Sequence, residues 1–293
     1  MNITKLEIVM LLAKHKKVSS VAEVMGIKQP TVTFHMKSLE EHYGVRLFEQ
    51  RGGVIILTEA GQALLHYASK ITALSQETER VLLEYCEVER GTISIGASYV
   101  PGTYMLPRVI SQFNLEYPGV AVKLMIKPAP VIRQLLLEHQ LDLGFISSQP
   151  FDEPKLHIRK MCEDELVVVY SANHRFASMS RIEAFDIAQE PFIFHGTKST
   201  TSDMTVQWAA AHNMELNYCM ELDSLESIKR ALMIGNGISF MSRQAVTEEM
   251  NNGILACAPL PPPEQERYMY ACYHRERWLS KGLQEFLRMA EEM

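Results

Sequence analysis

The sequence predicts an α/β protein that is preceded by a small helical head and one long helix. Apolar residues within positions 1–58 recur at steps of three and four, which is typical of short amphipathic helices. Residues 59–87 contain no proline and continue that spacing. From residue 91 onward, strand-like runs alternate with helix-like runs, which indicates a mostly parallel sheet with helices on both faces.

Two short helices joined by a glycine turn are predicted near the N-terminus. Ser20 is expected to cap the first helix, with Glu23 three residues later closing a capping box. Gly26 would end that helix in the left-handed conformation that glycine adopts at least cost. The second helix starts near Pro30, because proline suits a first helical turn. Its predicted buried stripe is Val32, Met36 and Leu39.

The opposite face of the second helix carries groups that can contact base edges, thymine methyl groups or phosphates. Phe34 can also face inward and His35 can be solvated, but the stripe already fills the inner side. A wing is predicted within residues 43–58, where Arg51 precedes a Gly52-Gly53 tip that lets the backbone approach a phosphate. The predicted DNA-contacting residues are Ser20, Lys28, Gln29, Pro30, Thr31, Thr33, Phe34, His35, Lys37 and Arg51.

A long helix is predicted from residue 59 to about residue 87, with Thr58 as its N-cap. Its length is roughly 40 Å at the standard rise, which is more than the small head can cover. The apolar stripe is therefore expected to pack on a partner helix. This stripe consists of Ala60, Ala63, Leu64, Tyr67, Ile71, Leu74, Val81 and Leu82.

Charge is shared unevenly along the chain. Residues 1–58 hold eight Lys and Arg against five Glu, a net charge of +3, whereas the remainder holds 21 basic and 30 acidic residues, a net charge of −9. A positive head on a negative body favours nucleic-acid binding by the head alone.

Several classes of protein are disfavoured. There is no run of 18 apolar residues and no targeting peptide, so a cytoplasmic protein without a membrane partner is expected. Five widely spaced cysteines without a C-x-x-C favour buried free thiols over disulfides or zinc, and neither a metal nor a cofactor is predicted. An enzyme is the first alternative, but the sequence lacks G-x-S-x-G, H-E-x-x-H and P-loop motifs. An architectural DNA-binding protein is the second, and it would not need the long C-terminal part.

The elements of the C-terminal part follow from the change of period after residue 91. Strands are predicted at residues 92–97, 120–126, 143–146, 166–170, 192–194, 219–222, 238–241 and 268–273. Helices are predicted at residues 104–116, 132–140, 179–188, 204–212, 225–234 and 243–250, with a final helix after the last strand.

These motifs resemble those of the LysR-type transcriptional regulators, and the resemblance covers the whole chain. It is carried by Ser20-Val21-Ala22, Lys28-Gln29-Pro30-Thr31-Val32-Thr33, Leu39-Glu40, Gly44-Val45-Arg46-Leu47-Phe48-Glu49-Gln50-Arg51 and Leu57-Thr58-Glu59-Ala60-Gly61. Two features depart from the family pattern. Lys28 stands where serine is usual, and Phe34-His35 replace a pair that is commonly Arg or Ser with Gln.

The resemblance implies an N-terminal winged helix-turn-helix and an effector part of two α/β lobes, similar to a type II periplasmic binding protein. The implied domains are 1–58 for DNA binding, 59–90 for a dimerising linker helix, and 91–293 for effector binding. Within the last, lobe I comprises 91–160 and 268–293, and lobe II comprises 164–265. Prolines at 259 and 261–263 crowd the return crossing between the lobes.

The implied function is sequence-specific transcriptional regulation controlled by a small, anionic effector held between the lobes, with lobe closure as the output. The implied partners are a double-stranded DNA operator, RNA polymerase and further copies of the chain, in a homodimer or a homotetramer. No catalytic activity is expected.

Three hydroxyl-rich segments are candidates for the effector site, namely residues 98–103, residues 195–202 and Asp223-Ser224. Strand ends and helix N-termini offer N–H groups to an anion, and Lys198 would add a cation. Ordinary helix capping is the alternative for these serines and threonines. The predicted effector-binding residues are Ser98, Tyr99, Val100, Gly102, Thr103, Pro128, Ser148, Gly196, Ser199, Thr200, Thr201 and Ser224.

Overall fold

The computed structural model describes residues 2–86, 91–196, 199–263 and 265–292, with the backbone alone at residues 80 and 83–86. The predicted linker residues 87–90, the candidate residue Lys198 and the side chain of Cys86 lie outside the described part. The chain divides into two compact units, Met1–Val88 with Glu138–Gln140 and Glu89–Leu137 with Leu141–Met293. Among the described residues, no helix is both long and apolar enough to cross a membrane.

The described part of the head forms three helices and an antiparallel hairpin. Their bounds are α1 Ile3–His15, α2 Val18–Met25, α3 Gln29–Tyr43, β1 Phe48–Arg51 and β2 Val54–Leu57. Gly26 ends α2 with a φ of 66°, and the N–H of Ile27 donates to the Ala22 carbonyl at 3.0 Å. Val32, Met36 and Leu39 form the buried face of α3. The predicted glycine turn, buried stripe and wing are therefore confirmed.

Helix α4 spans Glu59–Cys86 and has 28 residues. The Thr58 hydroxyl accepts the N–H of Gly61 at 3.0 Å, so the predicted N-cap is confirmed. Along the predicted stripe, Tyr67 and Leu74 are exposed and Ile71 is half-buried. Large apolar side chains therefore remain accessible on one face of α4 in the single chain.

Lobe I of the second unit is built on a five-stranded sheet with the order β4-β3-β5-β12-β6. The strands are β3 Gly91–Ala97, β4 Val120–Ile126, β5 Leu143–Ser148, β6 Leu156–Glu163 and β12 Tyr268–His274. The helices are α5 Leu106–Glu116, α6 Ala129–Leu137 and α11 Lys281–Glu291. Phe113 of α5 and Phe286 of α11 pack on one face of the sheet, and Ile132 of α6 packs on the other.

Lobe II contains the second five-stranded sheet, with the order β11-β7-β10-β8-β9. The strands are β7 Leu166–Ser171, β8 Pro191–His195, β9 Asn217–Leu222, β10 Ile238–Ser242 and β11 Leu255–Pro259. The helices are α7 Ala184–Gln189, α8 Thr200–Ala211, α9 Leu225–Met233 and α10 Thr247–Asn251. Trp208 of α8 and Ile228 of α9 are fully buried in the two cores of this lobe.

The expectation of mostly parallel sheets is wrong. Strand β3 is parallel to β4 and β5, and β8 is parallel to β9 and β10. The strands next to the crossings, β6, β7, β11 and β12, pair antiparallel. The reason is that β7 and β12 each enter their sheet from the other lobe and run opposite to the strands on both sides of them. Strand β6 also stays paired in lobe I up to Glu163, beyond the predicted limit at residue 160.

Several element boundaries differ from the predicted ones. Strands β6 and β11 were not predicted, and the helix predicted at 179–188 begins only at Ala184, after a 3₁₀ turn at Arg175–Ser178. A π-helical turn, Pro101–Met105, precedes α5. Cys219 is exposed, so the expectation of buried thiols is wrong for that residue.

Candidate DNA-binding surface and interlobe cleft

The recognition helix α3 presents its predicted polar face to solvent. Lys28, Gln29, Pro30, Thr31, Thr33 and Lys37 are exposed. Phe34 is 65% exposed, so it is not a core residue. The Thr33 hydroxyl donates to the backbone carbonyl of Gln29 at 3.2 Å. His35 is half-buried, and its Nδ1 has no partner among the described residues.

Ser20 does not cap a helix, and the predicted capping box is wrong. Helix α2 begins at Val18 with Lys17 in the N-cap position, where no side-chain bond is made. The reason is that the chain enters the helix two residues earlier than Ser20, which places this serine inside the first turn. Ser20 is half-buried there.

The wing carries Arg51 next to its glycine tip, as the sequence predicted. Gly52 and Gly53 have φ values of 57° and 80°, which L side chains adopt only with strain. The Arg51 guanidinium lies 2.8 Å from Glu49 Oε2, and both side chains are exposed. A phosphate at the wing would therefore compete with Glu49 for Arg51.

A small cavity of about 30 Å³ lies between lobe I and lobe II. It is closed on the lobe I side by residues that follow β3 and β4 and by one residue of β5, and on the lobe II side by the end of β8 and the starts of α8 and α9. The described residues that line it are Ser98, Tyr99, Val100, Pro128, Ala129, Ser147, His195, Ser199, Thr200, Thr201, Leu225 and Arg267. This volume holds one or two water molecules and is about tenfold below the size of ordinary ligand pockets.

The predicted effector-binding residues divide into two groups. Ser98, Tyr99, Val100, Pro128, Ser199, Thr200 and Thr201 line the cavity. Gly102, Thr103, Ser148, Gly196 and Ser224 are not among its lining residues. Gly102 packs against Ile126 inside lobe I, and a Cβ on Gly196 would lie 1.8 Å from Asp223 Oδ1. The Ser199 hydroxyl accepts the Ser202 N–H at 3.0 Å, so capping does occur at this position.

Arg267 is the main feature of the cavity that the sequence did not reveal. Its Nε lies 2.9 Å from Asp164 Oδ2 and donates to the Ser147 hydroxyl at 2.9 Å. Its Nη1 donates to Thr201 Oγ1 at 3.2 Å. Both members of the ion pair are almost fully buried. The only sequence signal was the position of Arg267 in the predicted return crossing.

Asp164 joins the two crossings and the two lobes. Its N–H donates to the Arg267 carbonyl at 3.0 Å. Its carboxylate accepts hydrogen bonds from Ser147 at the end of β5 and from Ser242 at the end of β10. Because this carboxylate is fully buried, its hydrogen bonds and its ion pair with Arg267 offset the cost of removing it from water. Arg267 is thereby held in a fixed position at the floor of the cavity.

His195 ends β8 at the wall of the cavity. The side chain is 7% exposed, and its Nδ1 has no hydrogen-bond partner among the described residues. Burial lowers the pKa of His195, and the nearby Arg267 acts in the same direction, whereas the Gly196 backbone and Asp223 act against it. The neutral imidazole is therefore the favoured form near pH 7.

A polar contact connects the lobes beside the cavity. The Tyr104 hydroxyl donates to Glu226 Oε1 at 2.8 Å, and Lys229 Nζ lies 2.6 Å from the same carboxylate and 2.8 Å from Glu249. Burial, followed by the hydrogen bond to Glu226, raises the pKa of Tyr104 to about 12. Val100 packs nearby in the apolar core of lobe II. The lobes are thus already in contact around the small cavity.

Comparison with known proteins agrees with this division of the chain. Residues 3–62 match a family described as "Bacterial regulatory helix-turn-helix protein, lysR family". Residues 87–293 match a family described as "LysR substrate binding domain". The chain is 31% identical over 287 residues to a probable RuBisCO transcriptional regulator of Porphyra purpurea, covering 96% of this chain and 90% of that protein.

Two solved structures share the fold. Full-length CbnR complexed with its target DNA matches with a TM-score of 0.72 and 19% identity, covering 100% of this chain and 99% of that chain. The effector-binding domain of QuiR in complex with shikimate matches with a TM-score of 0.58 and 20% identity, covering 69% of this chain and 96% of that domain.

Proposed function

This chain belongs to the LysR family of transcriptional regulators, and we propose that the ligand to which it responds is a small anion bound between its two lobes. The observation that supports the anion is the buried Arg267 guanidinium at the floor of the interlobe cavity. Hydroxyls of Ser98, Thr200 and Thr201 lie in the same lining. Charge-assisted hydrogen bonds of this kind are strong where water is excluded. The shikimate bound to QuiR is a carboxylate in a protein of the same fold.

Entry of such a ligand requires the lobes to separate, because the cavity of about 30 Å³ is too small for a metabolite. The sequence predicted closure of the lobes as the output. The lobes can separate only if the Tyr104–Glu226 contact breaks, so we propose that the effector selects a more open arrangement of the lobes. The change in lobe separation is then the signal that reaches the operator.

DNA reading is assigned to the exposed face of α3. We propose that Gln29, Thr31, Phe34 and Lys37 contact bases or phosphates in the major groove and that the wing contacts the adjacent backbone. CbnR, which shares the fold, is bound to DNA in its structure. The proposed target is an operator in chromosomal DNA, so the proposed place of action is the cytoplasm.

Assembly is assigned to the exposed apolar face of α4. Tyr67, Ile71 and Leu74 follow each other at steps of four and three residues, which is the spacing of a coiled-coil seam. We propose that two copies pair along this seam into a homodimer and that two dimers form a tetramer. RNA polymerase is the proposed partner at the promoter.

The anion proposal is tested with Thr200→Val, which keeps the side-chain shape and removes a hydroxyl from the cavity. We expect this variant to weaken binding of the responsive anion about fivefold to tenfold in calorimetry, because one hydrogen bond is lost. Operator binding without ligand should stay nearly unchanged in mobility shifts, since the head is a separate unit.

The matched control is Thr247→Val, at the first residue of α10 and outside the cavity lining. It should bind the anion like the parent protein. Candidate anions are first selected by thermal shift, because a ligand that binds only the folded state raises the melting temperature. Parental anion affinity in Thr200→Val, or an equal loss of DNA binding, would remove Thr200 from the site.

A further inference from the structure

His195 lines the cavity with a buried imidazole. Only 7% of the His195 surface is exposed. Its Nδ1 has no hydrogen-bond partner among the described residues. The ring of Tyr99 from lobe I lies edge-on at a centroid distance of 5.9 Å and supplies no charge. A buried polar atom without a partner is costly, so a ligand that supplies one is favoured.

Few charged groups surround His195, and they determine how its protonation changes when an anion binds. Arg267 is the cation on the cavity side, and it is already paired with Asp164. Asp223 lies between β9 and α9, and its side chain packs against Gly196, the residue that follows His195. The start of α8 contributes only the hydroxyls of Ser199, Thr200 and Thr201 to the lining. The described charges that act on the cavity are therefore one ion pair, one carboxylate and the titratable imidazole.

We propose that His195 binds the anionic ligand directly and takes up a proton as the anion enters, so that the site accepts a small oxyanion or carboxylate as an anion together with a proton. This inference rests on the proposed anion-binding function of the same cavity. The physical reason is electrostatic. Arg267 offers hydrogen-bond donors to an anion, but Asp164 offsets its charge, so a net positive charge appears among the described groups only when His195 is protonated.

Proton uptake fixes the sign of the pH dependence. Burial holds the pKa of His195 below its ordinary value in the free protein, so the free ring is neutral at pH 7. A bound anion raises that pKa. Affinity for the anion is therefore highest below the pKa of the free state and falls by up to about tenfold per pH unit as the pH rises toward the pKa of the bound state.

The experiment uses the full-length protein and sulfate, which does not titrate in the relevant range, with acetate as the carboxylate arm. The titration of His195 is followed by NMR of ¹³C-labelled histidine, with and without the anion at constant ionic strength. We expect the anion to raise the pKa of His195 by about one unit or more. Calorimetry in buffers of different ionisation enthalpy, at a pH midway between the pKa values that NMR gives for the free and bound states, should show uptake of roughly half a proton or more per anion.

His195→Asn keeps an amide near the position of Nδ1 but cannot titrate. It should bind the anion with an affinity that does not vary with pH and without proton uptake. His157→Asn changes an exposed histidine outside the cavity lining and should retain the parental pH dependence. It also serves to assign the NMR signals.

The outcomes separate the two proposals. Binding of sulfate or acetate with an unchanged His195 titration, or proton uptake that persists in His195→Asn, overturns the role of His195 and leaves the anion site standing. If neither anion binds, both the anion site and the role of His195 are overturned. Uptake with acetate alone assigns the site to carboxylates, and uptake with sulfate alone assigns it to inorganic oxyanions.

Discussion

Arg267 has three hydrogen-bonding partners that come from distant parts of the chain. Asp164, Ser147 and Thr201 surround its guanidinium, and none is adjacent to it in sequence. Removing one partner of a buried ion pair generally costs several kcal/mol, because the other charge is left unpaired. Such a pair stabilises one arrangement of the lobes at the crossings. Arg267 therefore has a structural role at the crossings, in addition to the binding role that we propose for it in the cavity.

The hydroxyl groups that line the cavity differ in whether they already make hydrogen bonds within the protein. The Ser98 oxygen accepts the Ser147 N–H at 2.8 Å, and Thr201 Oγ1 accepts from Arg267. The Thr200 hydroxyl makes no hydrogen bond to another side chain among the described residues, and Thr200 lies half-buried at the first residue of α8. Replacement of Ser98 or Thr201 would disturb the fold as well as the site, and this is why Thr200 is the informative position.

At the recognition helix, Gln29→Ala is expected to weaken specific operator binding by roughly 1 to 3 kcal/mol, because a bidentate amide contact to a base would be lost. Gln29 is exposed, so the stability of the head should not change. Mobility-shift titrations at fixed salt on operator and random DNA measure the effect. A variant that keeps the parental preference for the operator would exclude Gln29 from base reading.

At the scale of elements, the head was predictable because its signals are local. Gly26 and the Gly52-Gly53 pair have positive φ, and each of these turns was visible in the sequence. The spacing of Val32, Met36 and Leu39 likewise fixed the inner face of α3. The prediction that Ser20 caps α2 was wrong because the first residue of a helix depends on where the chain enters it. A residue type that favours capping does not determine this position by itself.

Strands β6 and β11 were missed for a different reason. Strand β6 mixes His157, Arg159 and Lys160 with apolar residues at the edge of its sheet, so its alternation is weak. Strand β11 is five residues long and contains small side chains and a proline. Their antiparallel pairing depends on the two crossings, which join residues far apart in sequence. Local periodicity carries no information about such pairing.

The exposed face of α4 leads to a prediction about assembly. Replacing Ile71 and Leu74 together with Lys places two charges in the apolar seam and should convert the oligomer into smaller species. DNA affinity should fall with it, because a monomer contacts only one half-site. Sedimentation measures the first effect, and mobility shifts measure the second.

The control for the seam is Gln62→Lys together with Gln76→Lys, two exposed positions of α4 that the apolar stripe does not include. This variant adds the same charge to the same helix and should assemble like the parent. If the Ile71 and Leu74 variant also assembles like the parent, the dimer contact lies on another surface.

At the scale of the whole second unit, the two-lobe architecture followed from the resemblance to a family, whereas the cleft chemistry required the structure. The segments at residues 98–100 and 199–201 meet across the lobes as expected. Arg267 and Asp164 could not be assigned to the same site, because only the folded crossings bring them together. The same holds for Tyr104 and Glu226, which lie 122 residues apart.

The contact between Tyr104 and Glu226 has a direct consequence for opening of the cleft. Opening must break this hydrogen bond, because Tyr104 belongs to lobe I and Glu226 to α9 of lobe II. Lys229 is held between Glu226 and Glu249 and stacks over the Tyr104 ring at 4.9 Å. The hydrogen bond from the Tyr104 hydroxyl can therefore be removed by mutation while the packing of the Tyr104 ring is retained.

Tyr104→Phe removes the hydroxyl and is expected to favour the open arrangement by about 1 kcal/mol. Amides in the cavity lining near Val100 and Leu225 should then exchange hydrogen about fivefold faster, while those in the head stay unchanged.

Because the pKa of Tyr104 is raised to about 12, the hydroxyl stabilises the folded state fully below pH 10 and progressively less as the pH rises toward 12. The difference in melting temperature between parent and variant should accordingly shrink over that range. Tyr218→Phe, an exposed tyrosine of lobe II, should match the parent in both measurements. Equal exchange in parent and Tyr104→Phe would show that the apolar packing alone holds the lobes together.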